Sequence, residues 1–191
     1  MNILEELIWH VFDSVKRECS EELKVLNHEL AIPKRPFPRL TYDEVLEKLE
    51  EAGERITWGD DLSTPAEKKL AELIPGCYFV VDWPLKIKPF YTGIKPGDSR
   101  KADAFDLMYG ELELSSGGTR IHSDELLMKQ LKEKGMNPEN FESHLMNFKY
   151  GALPPHAGFG LGLDRLTMVL TGADNIRECV LFPRDRRRLS P

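Results

Sequence analysis

Phe105-Asp106-Leu107-Met108-Tyr109-Gly110-Glu111-Leu112-Glu113-Leu114-Ser115-Ser116 reads as two strands folded back on each other. Residues 105–109 and 111–116 are strand-like runs joined around Gly110. No helical segment lies between them. A parallel pair would need a crossover of a dozen or more residues, so the pairing predicted is antiparallel. Upstream, Cys77 to Trp83 is a β-branched and aromatic run bounded by Gly76 and Pro84, and Phe90-Tyr91 reads as a further short strand. Downstream, Cys179 to Phe182 reads as a closing strand.

Helical periodicity surrounds these strands. Ile3, Leu4, Leu7, Ile8, Val11, Phe12, Val15, Cys19, Leu23 and Leu26 repeat at i, i+3, i+4, which predicts one amphipathic helix ending before Pro33, Pro36 and Pro38. A second helix starts at the capping box of Thr41 and Glu44 and stops at Gly53. A third is predicted with Thr64 as cap, Pro65 at the first helical position, Glu67 closing the box and Pro75-Gly76 as the end. Two more run over residues 124–134 and 138–149, the latter capped by Asn137, and an apolar helix from Leu163 to Leu170 stops at Gly172. There are no internal repeats and no linker long enough to divide the chain. The class predicted is α+β, an antiparallel sheet flanked by helices, in a single domain over residues 1–191.

Composition narrows the function. The chain of 191 residues is 41% hydrophobic, enough for a core, and carries a net charge of −6, which disfavours general nucleic-acid binding. A local exception is Arg184, Arg186, Arg187 and Arg188, which either contact RNA phosphate or form solvated ion pairs. No apolar run approaches the roughly 20 residues that span a bilayer. The first residues lack a signal peptide's basic start and cleavage site. Cys19, Cys77 and Cys179 lie far apart with no CxxC spacing, which excludes zinc ribbons and fits a reducing cytoplasm.

Three segments could carry chemistry. Asp106 and Glu113, on neighbouring strands, are oxygen ligands of the kind that suit Mg²⁺ together with phosphate; two solvated strand residues is the plain alternative. In Ser115-Ser116-Gly117-Gly118-Thr119-Arg120, the arginine could grip a carboxylate in bidentate fashion or form a surface ion pair, and the glycines could be an ordinary turn. Gly158-Phe159-Gly160-Leu161-Gly162 lacks GxGxxG spacing and a βαβ frame, so a dinucleotide fold is rejected; the small residues suit a strand passing close to a flat ligand or a helix.

Tyr150 to Leu166, with Pro154-Pro155-His156-Ala157-Gly158-Phe159-Gly160-Leu161-Gly162-Leu163-Asp164-Arg165 at its heart, resembles motif 3 of the class II aminoacyl-tRNA synthetases. The ending Leu181-Phe182-Pro183-Arg184-Asp185-Arg186-Arg187-Arg188-Leu189-Ser190-Pro191 is similar to the terminus of their aspartyl branch of archaeal and eukaryotic type. Asp82-Trp83-Pro84, Pro89-Phe90-Tyr91-Thr92 and Glu113 to His122 match in the same order, so the resemblance spans nearly the whole chain.

The resemblance implies a cytoplasmic, ATP- and Mg²⁺-dependent ligase of protein biosynthesis, activating aspartate as aspartyl-adenylate for transfer to tRNA. It implies that Asp106, Glu113 and Ser116 surround the metal, and that Ser116 and Arg120 hold aspartate. Gly162, Leu163, Asp164 and Arg165 would form the ATP wall with Glu113, Arg165 stacking on adenine and meeting the γ-phosphate. His122 and His156 would pack nearby. The family's anticodon-binding domain, motif 1 and motif 2 find no match, so the isolated chain is expected to be inactive or weak. A homodimer, or a partner half bearing motif 2, would complete it. Residues 92–100 depart from the expected substrate-covering loop, and Ser115-Ser116-Gly117-Gly118 also suits an asparagine-making paralogue; a non-catalytic, partner-binding fragment is the remaining alternative.

Overall fold

The computed structural model describes residues 1–151, 153–187 and 189. The first helical run is two helices rather than one: α1 (Asn2–Glu18) and α2 (Ser20–Val25), broken at Cys19 with φ −112° and ψ 33°. An unbroken helix over that span would run about 36 Å in a straight line. The break instead returns Leu23 to the core that holds Leu4, Ile8 and Phe12.

A short strand absent from the sequence reading, β1 (Arg39–Thr41), follows the prolines. Three residues are too few to show a period. Thr41 then caps α3 (Tyr42–Glu51) with both bonds of the capping box in place. In α4 (Thr64–Leu73) the boundary moves by one: Ser63 is the N-cap, Thr64 is already helical, and neither closes a box with Glu67. Glu67 faces a small cavity instead.

The sheet is built from β1, β2 (Cys77–Val81), β3 (Ala104–Tyr109), β4 (Leu112–Arg120) and β5 (His156–Leu161), in that spatial order. The β2–β3 and β3–β4 pairs are antiparallel as predicted; β5, which the sequence reading did not assign as a strand, adds a further antiparallel pair with β4, and β1 runs parallel to β2, so the sheet is mixed. β4 is also longer than the sequence suggested. Gly117 and Gly118 lie inside it, not in a turn, because the backbones approach too closely for a side chain. A Cβ on Gly117 would stand 2.7 Å from the Gly158 carbonyl, Phe105 and Phe159, and one on Gly118 would stand 2.5 Å from the Asp103 carbonyl.

Two other expected strands are absent. At Phe90-Tyr91, Pro89 has no donor and its carbonyl accepts from Thr92 at 3.0 Å, turning the chain. Phe90 packs on Phe141 at 5.0 Å, leaving only an isolated bridge from Thr92 to Arg120. At the end of the chain, Asn175 caps a 3₁₀ turn over Ile176–Cys179 that takes up the first residue of the expected run, and residues 180–182 pair with no strand among the described residues. Arg188 of the terminal arginine cluster, together with Ala152, Ser190 and Pro191, lies outside the described residues.

The remaining helices are α5 (Asp124–Glu133), a 3₁₀ turn (Pro138–Phe141) leading into α6 (Glu142–Lys149), and α7 (Leu163–Thr171), which ends on Gly172 in the left-handed conformation. Leu4, Ile8, Phe12, Phe79, Leu107, Leu114 and Leu166 form the core on one sheet face. Tyr42, Val45, Leu49, Leu70, Tyr78, Val80 and Met108 form the core on the other. A third cluster joins Ile121 to α5 and α6.

Candidate active site

One irregularity in the sheet positions the site. Along β3–β4 the register runs Asp106↔Ser116 and Leu107↔Ser115, then jumps to Met108↔Glu113. Leu114 is the extra residue of a β-bulge. Glu113 and Ser116 are three apart, which in a regular strand would put them on opposite faces. The bulge brings both to the face that carries Asp106 and Met108. It also frees carbonyls to hold the next segment: Leu114 accepts from the Gly162 amide at 2.9 Å, and Glu113 accepts from Arg165 Nη1 at 2.7 Å.

A cavity of about 450 Å³ opens there. Of the residues singled out in the sequence, Glu113, Ser116, Arg120, Gly162, Leu163, Asp164 and Arg165 all line it. Asp106 does not. It sits in an adjoining cavity of about 120 Å³ together with Asp61 and Glu67, and Glu113 and Lys88 border both spaces. His122 and His156 line neither. His156 is exposed, its ring nitrogen 2.9 Å from the Pro154 carbonyl.

Charge is arranged unevenly around this face. Arg165 lies 3.6 Å from the Glu113 carboxylate, beyond hydrogen-bond length but within ion-pair range. Burial, and after it the nearby Asp106, push the Glu113 carboxyl above the usual range; Glu67 is likewise raised by burial. Arg120 stacks on Tyr91, its guanidinium carbon 4.6 Å from the ring centroid, and makes no ion pair among the described residues. Asp106 is 3% exposed, accepts from Lys88 Nζ at 2.5 Å, and leaves its Oδ1 buried without a hydrogen-bond partner among the described residues.

That orphaned oxygen bears on whether a divalent cation fits. Among the described residues no group of three or more His, Cys, Asp and Glu side chains converges as a closed metal site. Mg²⁺ does not require one: it keeps several waters and binds through one or two carboxylates plus substrate phosphate. Asp106 Oδ1 and the Glu113 carboxylate are such a pair, so the donors fit. Lys88 and Tyr91 are among the wall residues that the sequence reading did not assign to the site. Their loop has no periodicity, and only the fold shows that it returns against β4.

A family model described as tRNA synthetases class II (D, K and N) matches residues 1–186. The chain belongs to this family. All of it aligns at 52% identity with 43% of the aspartate–tRNA(Asp/Asn) ligase of Methanosphaera stadtmanae, and at 50% with 44% of that of Methanopyrus kandleri. The chain thus spans less than half the length of these curated relatives. Among solved structures, it superposes in full on 41% of the Entamoeba histolytica aspartyl-tRNA synthetase, with TM-score 0.91 and 39% identity. It also superposes on 46% of the Pyrococcus horikoshii asparaginyl-tRNA synthetase, with TM-score 0.92 and 35% identity. The five-stranded sheet with its flanking helices matches the catalytic core of these class II enzymes. None of the helices among the described residues is long and apolar enough to cross a membrane.

Proposed function

We propose that this chain is the part of a class II aspartate–tRNA ligase catalytic core that holds the amino acid and one side of ATP. The observation that carries this is Arg120: a guanidinium stacked on Tyr91, without an ionic partner among the described residues, in the same cavity as the Arg165–Glu113 pair. A cation placed this way suits the side-chain carboxylate of aspartate, with Ser116 beside it. Arg165 presents a planar face for adenine and N–H groups for phosphate, and Gly162, Leu163 and Asp164 form the adjoining wall.

Asp106 and Glu113 would hold Mg²⁺, which when bound offsets charge on the phosphates. The protein groups work by orientation: aspartate and triphosphate are held in line while fixed cations face the developing charge. Transfer to tRNA, and pairing with a second copy or with a polypeptide supplying motif 2, belong to the longer architecture of the relatives. A cytoplasmic place in protein biosynthesis follows from the same reading.

Binding of a non-hydrolysable aspartyl-adenylate analogue, followed by calorimetry, tests it. The aspartyl analogue should bind more tightly than the asparaginyl one, and Arg120→Met should remove the preference. Equal binding, or a preference unaffected by R120M, would refute the assignment of Arg120. Aspartate-dependent ATP–pyrophosphate exchange by the chain alone should be negligible. If ATP and ammonia turned aspartate into asparagine, the paralogue reading would replace this one.

A further inference from the structure

The small cavity beside the site is short of positive charge. Four carboxylates line it, Asp61, Glu67, Asp106 and Glu113, against one ammonium, Lys88. Lys88 is held on two sides, with Asp106 Oδ2 at 2.5 Å and the Trp83 ring centroid at 4.3 Å, and its side chain is 12% exposed. Asp106 is nearly buried and would otherwise carry an unpaired charge, which proteins rarely tolerate. Yet its second oxygen has no hydrogen-bond partner among the described residues, so the ammonium satisfies only half of the carboxylate.

We propose that Lys88 is a tethered counter-ion that competes with the divalent cation for Asp106 and Glu113, a positioning residue that sets how tightly they take Mg²⁺. The inference rests on the reading of these two carboxylates as the cation site. While the cation is away, Lys88 holds Asp106 in place. When it arrives, two positive centres meet at one carboxylate and repel each other. The long flexible stem allows the ammonium to yield, and Lys88 already borders the larger cavity, where the nucleotide phosphates would receive it. Cation binding is therefore weak without nucleotide and strengthened with it.

The test uses Mn²⁺ alone, with free ion followed by electron paramagnetic resonance, on wild type, Lys88→Gln, Lys88→Arg and Glu113→Gln. K88Q keeps a donor for Asp106 but removes the charge, and it should bind Mn²⁺ at least about tenfold more tightly than wild type. K88R should stay near wild type, and E113Q should abolish binding. A merely structural role for Lys88 would weaken binding in K88Q. If E113Q abolishes binding but K88Q leaves it unchanged or weaker, the inference about Lys88 is overturned while the carboxylate site stands. If no Mn²⁺ binding depends on Glu113 in either wild type or K88Q, the cation-site reading falls and this inference with it. Should K88Q fail to fold, wild type still decides. Exchange of the ¹⁵N-labelled Lys88 ammonium protons should speed up as Mg²⁺ saturates, and a signal indifferent to Mg²⁺ would overturn the proposal.

Discussion

Replacing Gly117 by alanine tests how closely β4 and β5 must approach to form the site wall. The new methyl carbon would stand 2.7 Å from three atoms: the Gly158 carbonyl oxygen, Phe105 Cζ and Phe159 Cβ. Ordinary contact begins near 3.4 Å, so about 0.7 Å must be found in each direction. The Phe105 ring can tilt, but Gly158 belongs to the paired backbone of β5 and Phe159 Cβ is fixed to it. Overpacking typically costs 1–3 kcal/mol, and a clash with a paired strand places this variant at about 3 kcal/mol. For a domain of this size that lowers the melting midpoint by roughly 6–12 °C. Gly158→Ala is the internal control: Gly158 pairs with Gly118, and a Cβ there meets nothing within 4 Å. It should change stability by no more than about 0.5 kcal/mol. Urea unfolding of both variants is the assay. A loss under about 0.5 kcal/mol for G117A, or equal losses for the two, would show that close packing is not why glycine stands at position 117.

Further outcomes follow from the same geometry. Glu113 has a raised carboxyl pKa in the folded state, so its contribution to stability is present below the unfolded value of about 4.5 and lost as pH climbs through the folded one. Glu113→Gln should therefore raise the urea midpoint at pH 7 and narrow its advantage at pH 4; a variant less stable than wild type at pH 7 would contradict this. Thr41→Ala removes both the acceptor for the Glu44 amide and the hydroxyl donor to its carboxylate, and should cost about 1 kcal/mol in thermal unfolding. Burial pushes the Cys77 thiol up to about 12, so a thiol reagent at pH 8 should modify it only after denaturant is added.

The α+β class and the β2 and β3 strands were legible in their apolar and aromatic runs, and the first half of β4 in its strand-like run after Gly110, whereas Gly117 and Gly118 hid its second half. Signals confined to a few residues were less reliable. β1 is too short to show a period, the Cys19 break interrupts a continuous apolar stripe, the Phe90-Tyr91 run leads only to an isolated bridge at Thr92, and the start of the Cys179–Phe182 run is taken into a 3₁₀ turn. For the site, family resemblance selected seven residues that the fold places around one cavity. Asp106 was assigned to the same space but lines the adjoining one, where Lys88, brought in by a loop without periodicity, holds its carboxylate.

The bulge at Leu114 makes the spacing from Glu113 to Ser116 a matter of parity. Side chains along these strands can be exchanged within the usual limits of volume and charge, but the count of residues between them cannot. Deleting Leu114 would restore a regular ladder in which Glu113 and Ser116, now two apart, still share a face, but it would remove a buried core side chain and the carbonyl that seats Gly162. Libraries built on this scaffold should therefore vary identities across 112–118 and hold its length constant.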